Sequence, residues 1–271
     1  MAGNKVMTYQ TGSLFSLEGK VALVTGGAQG LGRMIAAGMI AAGARVFITS
    51  RTAELCEEAE KALGENCRAI TGNAGKPEGI SAIIETLQKE GVKSLNILVN
   101  NAGRTWGAPL ESFPDKGWPG VMETNVQAPF RLIQECLHLL SAGGTKLDPA
   151  RIINIGSIAG AVVNDLNAYS YVASKAALHQ LSHQLAADLA DRNINVNTIL
   201  PGFFPTSMTA HMRNEEERRL EKAIPLGRLG MDSDIVGAII FLASQAGSYI
   251  TGIELPVDGG VTGASLSHFT G

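Results

Sequence analysis

Tyr171 and Lys175 stand four residues apart in NAYSYVASKAAL, residues 167–178. In a helix that spacing puts both side chains on one face, while Tyr169 points elsewhere. Spacing alone leaves chemistry and ordinary packing both open. A second candidate is TGGAQGLG, residues 25–32. Its glycines permit a tight turn and a close approach of backbone to a pyrophosphate at a helix N-terminus. The spacing is G-x-x-x-G-x-G instead of G-x-G-x-x-G, but the stretch follows a strand-like run and opens a helical one, as a dinucleotide site requires. Gly26, Gly30, Leu31 and Gly32 are the expected contacts.

About 20 residues beyond those glycines an NAD site offers Asp or Glu to the ribose 2′-hydroxyl. Here Ser50 and Arg51 occupy that place. A carboxylate would repel a 2′-phosphate, whereas a guanidinium can grip it and stack on adenine. The expected cofactor is NADP. His179 and His183 form HxxxH, a metal-like spacing. Gln180 replaces the glutamate of the zinc-protease motif and no third ligand is evident, so packing is expected and no metal.

The elements that must position these residues alternate. Strand-like runs at 21–25, 45–49, 67–71, 96–100, 151–157, 194–200 and 252–257 are separated by helix-period segments. This predicts βαβ units in an α/β, single-domain Rossmann fold: a doubly wound parallel sheet of about seven strands with helices on both faces. Ligands should lie beyond the carboxyl ends of the strands. Residues 1–16 read as a loose N-terminal extension and 17–271 as the domain.

Composition narrows the class. The chain has 271 residues, 45% of them apolar, and a net charge of −3. That charge argues against a nucleic-acid surface. No apolar run is long enough to span a bilayer, and the opening residues lack the apolar core of a secretory signal. Cys56, Cys67 and Cys136 are odd in number and far apart, which fits reduced thiols in a cytoplasmic protein.

TGGAQGLG, NNAG (100–103), Asn125 in ETNVQAP, Ser157 in INIGSIAG, YVASK and PGFFPT (201–206) occur in one order. Together they resemble the short-chain dehydrogenases/reductases from about Leu17 to the VDGG at 257–260. The resemblance implies a catalytic set of Asn125, Ser157, Tyr171 and Lys175. Ser157 would bind the substrate carbonyl, and Tyr171 would give its oxygen a proton in reduction and take one in oxidation. A free tyrosine, near pKa 10, is a poor base at neutral pH. A lysine charge at roughly 4–5 Å, at an effective dielectric near 20, is worth about 3–4 kcal/mol, or two to three pKa units. Lys175 would also hold the nicotinamide ribose, and Asn125 would place a water linking it to solvent.

The resemblance further implies cofactor contacts from the NNAG turn (Asn100, Asn101, Ala102 and Gly103), from Tyr171 and Lys175, from Pro201, Gly202 and Thr206, and from Asn73 at adenine, where the family usually has Asp. RNEEERRLEK (213–222) reads first as a solvated helix; with Met208, Met212, Leu220 and Ile224 interspersed, the resemblance also offers 207–224 as a flap over substrate. Trp106 and Trp118 lie where pockets of this family are lined, with core or interface packing an equal alternative for either. The branch most similar is the 3-oxoacyl-carrier-protein reductases linked to rhamnolipid synthesis, with sugar-acid dehydrogenases and a non-catalytic NADP sensor as alternatives. Arg131 suits an acidic carrier or phosphate, while Ala187 and Asp188 stand where a second base would help. The expected partners are a ketone or acyl-thioester substrate and further copies of the chain, as a dimer or tetramer.

Overall fold

The computed structural model describes residues 10–163, 166–205 and 214–263, without the side chains of 214–217. The elements run α1 (Thr11–Leu14), β1 (Val21–Val24), α2 (Gly30–Ala41), β2 (Arg45–Ser50), α3 (Ala53–Leu63), β3 (Cys67–Thr71), α4 (Pro77–Lys89) and β4 (Ile97–Asn100). They continue with α5 (Pro119–Met122), α6 (Ala128–Gly143), β5 (Ala150–Ile155), α7 (Tyr169–Leu189), β6 (Ile194–Pro201), α8 (Asn214–Ala223), α9 (Asp232–Ala243) and β7 (Glu254–Val257). The strands form one parallel sheet in the order β3-β2-β1-β4-β5-β6-β7. This is the doubly wound Rossmann arrangement expected. Each strand-like run became a strand, although β5 stops at Ile155, so Gly156 and Ser157 lie beyond it.

The strands are short and β-branched because they are covered on both faces. Side chains alternate between the two. Val24, Ile48, Val99 and Ile153 meet Ile35 and Met39 of α2 and Ile235, Ile239 and Leu242 of α9. Their neighbours Leu23, Phe47, Leu98 and Ile152 meet Ile83 and Leu87 of α4, Leu132 and Leu140 of α6, and Leu185 and Leu189 of α7. Gly38 lets α2 approach α9, since a Cβ there would lie 2.5 Å from a methyl of Val236.

The expected extension is described from residue 10, and there it makes the single helical turn α1. Leu17 is then fully buried, and its N–H donates to Ala42 O at 2.8 Å. Strand order reverses between β1 and β4, which opens a crevice at their carboxyl ends. Every predicted site residue that is described lies on a segment reaching that edge.

Candidate active site

A cleft of about 820 Å³ opens there. At one end Gly26 and Gly30 take φ of 65° and 53°, the left-handed region that favours glycine. Gly32 has no room for a side chain: a Cβ would lie 2.3 Å from Gly26 O and 2.5 Å from Asn101 Nδ2. Thr25 fastens this turn to the one after β4, its Oγ1 accepting from the N–H groups of Asn101 and Ala102, both at 3.0 Å. Gln29, the residue before α2, has no side-chain cap on the helix, and the first turn, Gly30 to Gly32, lines the cleft.

Gly26, Gly30, Leu31, Gly32, Ser50, Arg51, Asn73, Asn101, Ala102, Gly103, Pro201 and Gly202 all line the cleft. Arg51 is exposed at its rim, with no ion-pair partner among the described residues. Asn73 turns its Oδ1 to Gly75 N–H at 3.0 Å, leaving its amide NH₂ for a ligand. Asn100 differs from expectation. Its side chain lies inside the sheet, donating to Asn154 Oδ1 at 2.8 Å, because β4 still runs through it and the turn begins only at Asn101. Thr206, Met208 and Met212 lie outside the described residues; the rest of the expected flap includes α8, and Ile224 is buried.

At the other end the structure brings Ser157, Tyr171, Lys175 and Asn125 together. The Tyr171 hydroxyl and the Ser157 side chain are neighbours in the cleft. Lys175 Nζ lies 5.6 Å from the Tyr171 ring centre and donates to Ile155 O at 2.7 Å. Asn125 sits in a π-helical turn, Glu123–Gln127, between α5 and α6. Its Oδ1 accepts from Arg104 N–H, and its Nδ2 donates to Arg104 O and to Ser174 Oγ, all at 2.8–2.9 Å. Ser174 Oγ in turn donates to Tyr171 O at 2.7 Å. Asn125 thus braces the segment after NNAG against α7, leaving one lone pair of Oδ1 for a water.

Burial governs the electrostatics. It brings Lys175 down to about 8 from 10.5. It pushes the Tyr171 hydroxyl above its usual value, against the opposing Ser157 hydrogen bond. In the chain by itself desolvation of the phenolate is the largest effect on Tyr171, and it acts against the acidity expected from Lys175. Tyr171 is held as a proton donor.

Other residues fall elsewhere. Tyr169 packs edge-on to Phe113 at 5.3 Å, away from the cleft. Trp118 meets the same Phe113, and Trp106 lies under Lys116 and against Gly117, so neither tryptophan lines the main cleft. His179 and His183 both face Glu254 of β7, at 3.5 and 3.3 Å. Among the described residues no group of three or more His, Cys, Asp or Glu could hold a metal. Sequence reading missed the braces, Ser174 and the buried chain Asn100–Asn154–Ser182. Their signal was polar residues at positions where the period demands apolar ones.

Residues 26–262 match the family model described as Enoyl-(Acyl carrier protein) reductase. The chain is 47% identical over 251 residues to a Pseudomonas aeruginosa rhamnolipids biosynthesis 3-oxoacyl-[acyl-carrier-protein] reductase, covering 91% of this chain and 97% of the relative. Among solved structures, the Pseudomonas aeruginosa RhlG/NADP active-site complex superposes with a TM-score of 0.89 at 45% identity, over 92% of this chain and 99% of that one. A gluconate 5-dehydrogenase from Burkholderia cenocepacia, in complex with NADP and tartrate, gives 0.85 at 30% identity, over 94% and 100%. Fold, cleft and motif order agree with these likenesses: the chain belongs to the short-chain dehydrogenase/reductase family.

Proposed function

We propose that this chain is an NADP-dependent oxidoreductase that interconverts a ketone and a secondary alcohol, with a 3-oxoacyl thioester as the substrate reduced. The observation that carries the reading is the pair of hydroxyls, Ser157 and Tyr171, neighbours in the cleft beside the buried Lys175. Two hydroxyls so close can both donate to one carbonyl oxygen, which suits C=O better than C=C as the bond reduced.

The other end of the cleft fits a dinucleotide, since the left-handed turns at Gly26 and Gly30, with Gly32 packed tightly against Gly26 O and Asn101, bring backbone and the start of α2 to the cleft wall. Gly26, Gly30, Leu31 and Gly32 would hold the pyrophosphate; Ser50 and Arg51 the 2′-phosphate; Asn73 the adenine; and Asn101, Ala102, Gly103, Pro201, Gly202 and Thr206 the remainder toward the nicotinamide. NADP, when bound, supplies or accepts the hydride. Ser157 binds the carbonyl oxygen, and Tyr171, kept protonated by burial, passes it a proton as charge develops there. Lys175 keeps a positive charge near the ring and holds the nicotinamide ribose. Asn125 fixes the cleft wall.

The named relatives are 3-oxoacyl-carrier-protein reductases, which supports a thioester. The likeness to a gluconate 5-dehydrogenase supports a sugar acid as the second reading. Exposed Ala187 and Asp188 on α7 offer no cation to an acidic carrier, whereas half-buried Arg131 on α6 can meet a phosphate of the pantetheine arm. We place the protein in the cytoplasm, where its three free cysteines stay reduced, and as a homo-oligomer formed through α6 and α7. NADPH oxidation should be measured with 3-oxoacyl thioesters of CoA and carrier protein beside a gluconate–NADP assay. Thioester turnover weakened by salt and by Arg131→Ala is expected; oxidation of gluconate with every thioester ignored would replace this reading with the second.

A further inference from the structure

β5 ends with two backbone groups that its neighbour no longer reaches. Along this strand successive N–H groups face opposite edges: Ala150 N–H donates to Asn193 of the β6 side, and Arg151 N–H to Asn96 of the β4 side. Gly156 N–H still reaches Ile199 O of β6 at 2.8 Å. The same alternation points Ile155 C=O and Ser157 N–H toward β4, but β4 stops at Asn100, opposite Asn154. Two buried ladder groups, one acceptor and one donor, are left over, and leaving either unpaired away from water is unfavourable.

Helix α7 takes both of them, one turn apart. Lys175 Nζ donates to Ile155 O at 2.7 Å, and His179 Nε2 accepts from Ser157 N–H at 3.3 Å. The imidazole is 4% exposed and sits in space left by two absent side chains. A Cβ on Gly156 would lie 2.4 Å from its Nε2, and one on Gly160 2.9 Å from its Cε1. Accepting at Nε2 requires the ring proton to be on Nδ1, and Nδ1 faces the Glu254 carboxylate at 3.5 Å, while His183 Nε2 approaches the other oxygen at 3.3 Å. Burial, with the charge of Lys175, holds His179 down to about 4, so the ring stays neutral and able to accept.

We infer that His179 is a positioning residue: as the Nδ1–H tautomer, steadied by Glu254, it caps the Ser157 amide and thereby fixes where the Ser157 hydroxyl meets the substrate carbonyl. This rests on the reading of Ser157 as a donor to that carbonyl. The arrangement links the edge strand β7 to the reacting oxygen through a single imidazole. It also gives the HxxxH spacing a use without metal: the first histidine reaches the strand end, and the second shares its carboxylate.

Two experiments test it. In the first, His179→Leu removes the acceptor and His179→Gln keeps one near the same place. Leu should lower kcat for 3-oxoacyl thioester reduction by about 10- to 100-fold, as for a slightly misplaced group, with the NADPH Kd unchanged, while Gln recovers to within about threefold. In a Ser157→Ala background His179→Leu should add nothing, because it acts through Ser157. Full turnover in His179→Leu, equal losses in Leu and Gln, or an undiminished loss in the Ser157→Ala background would each overturn the inference. The second needs no substrate. Imidazole ¹⁵N spectra of the unaltered chain should give His179 as the neutral Nδ1–H tautomer, and the Nε2–H tautomer would overturn the assignment. An unaltered chain that turns over no ketone yet has the expected tautomer would instead count against the proposed reaction alone.

Discussion

Where β1, β2 and β3 end, the cleft is walled by backbone and exposed side chains; where β4 and β5 end, it is walled by buried polar ones. At the first end the proposed binding parts are Gly26, Gly30 and Gly32, whose merit is having no side chain, and Arg51, exposed at the rim. At the second, Asn125, Ser157, Ser174, Lys175 and His179 are each at most 9% exposed and hold one another. A site that grips a long polar ligand can be open and shaped by absence. A site that moves a proton needs donors of fixed direction in a dry setting, so it is made of side chains that cross-brace. Changes at the first end should therefore alter affinity, and changes at the second should alter turnover.

The largest effect is expected from Tyr171→Phe. Losing the proton donor should lower kcat by roughly 10²- to 10⁴-fold, the range for acid–base catalysis, while NADPH titration gives an unchanged Kd. Tyr169→Phe, which removes only a 3.4 Å contact to Asn167, should keep most activity; a dead Tyr169→Phe would place the chemistry on the wrong tyrosine.

Gly32→Ala should strike the opposite end. The added Cβ meets Gly26 O and Asn101 Nδ2, so the turn must shift from the shape that would receive the pyrophosphate: a stability cost of about 1–3 kcal/mol and, from the displaced turn, a loss of roughly 100-fold in NADPH affinity by calorimetry are expected, with kcat at saturation largely kept. Arg51→Ala is gentler. One charged hydrogen bond of about 1.5–3 kcal/mol corresponds to roughly 10- to 150-fold preference for NADPH over NADH. The variant should lose most of that ratio with NADH use unchanged, and an unaltered chain without preference would remove Arg51 from the site.

The smallest effect concerns pH. Lys175 is lowered to about 8, and its charged form is the useful one. Reduction should therefore be fully supported below 8 and fall as pH rises through it, approaching tenfold per unit. Tyr171, raised by burial, stays protonated over this window. Lys175→Met should lower the rate and flatten that limb of the profile; an unchanged limb would assign it to another group.

The fold was legible because strands covered on both faces must be short apolar runs, and helices between them must repeat every three or four residues. The positions of the glycine turn and Arg51 at the cleft were legible because each follows directly from the end of its strand. The interior of the catalytic end was less so. That Asn100 turns into the sheet, and that Ser157 offers an N–H to His179, depends on β4 stopping before β5, and no spacing within either strand states it. The sign of the Tyr171 shift was hidden for a related reason: helical spacing placed Lys175 beside it but did not tell how deeply both are desolvated.

The central claim, that one end of the cleft binds and the other reacts, is tested most directly by measuring NADPH Kd and 3-oxoacyl-thioester kcat on the same preparations of Tyr171→Phe and Gly32→Ala. A crossed pattern is predicted: Tyr171→Phe binds normally and turns over at least about 10²-fold more slowly, while Gly32→Ala binds weakly and turns over near normally once saturated. Tyr171→Phe with ordinary turnover, or with affinity and turnover lost together, would contradict the account.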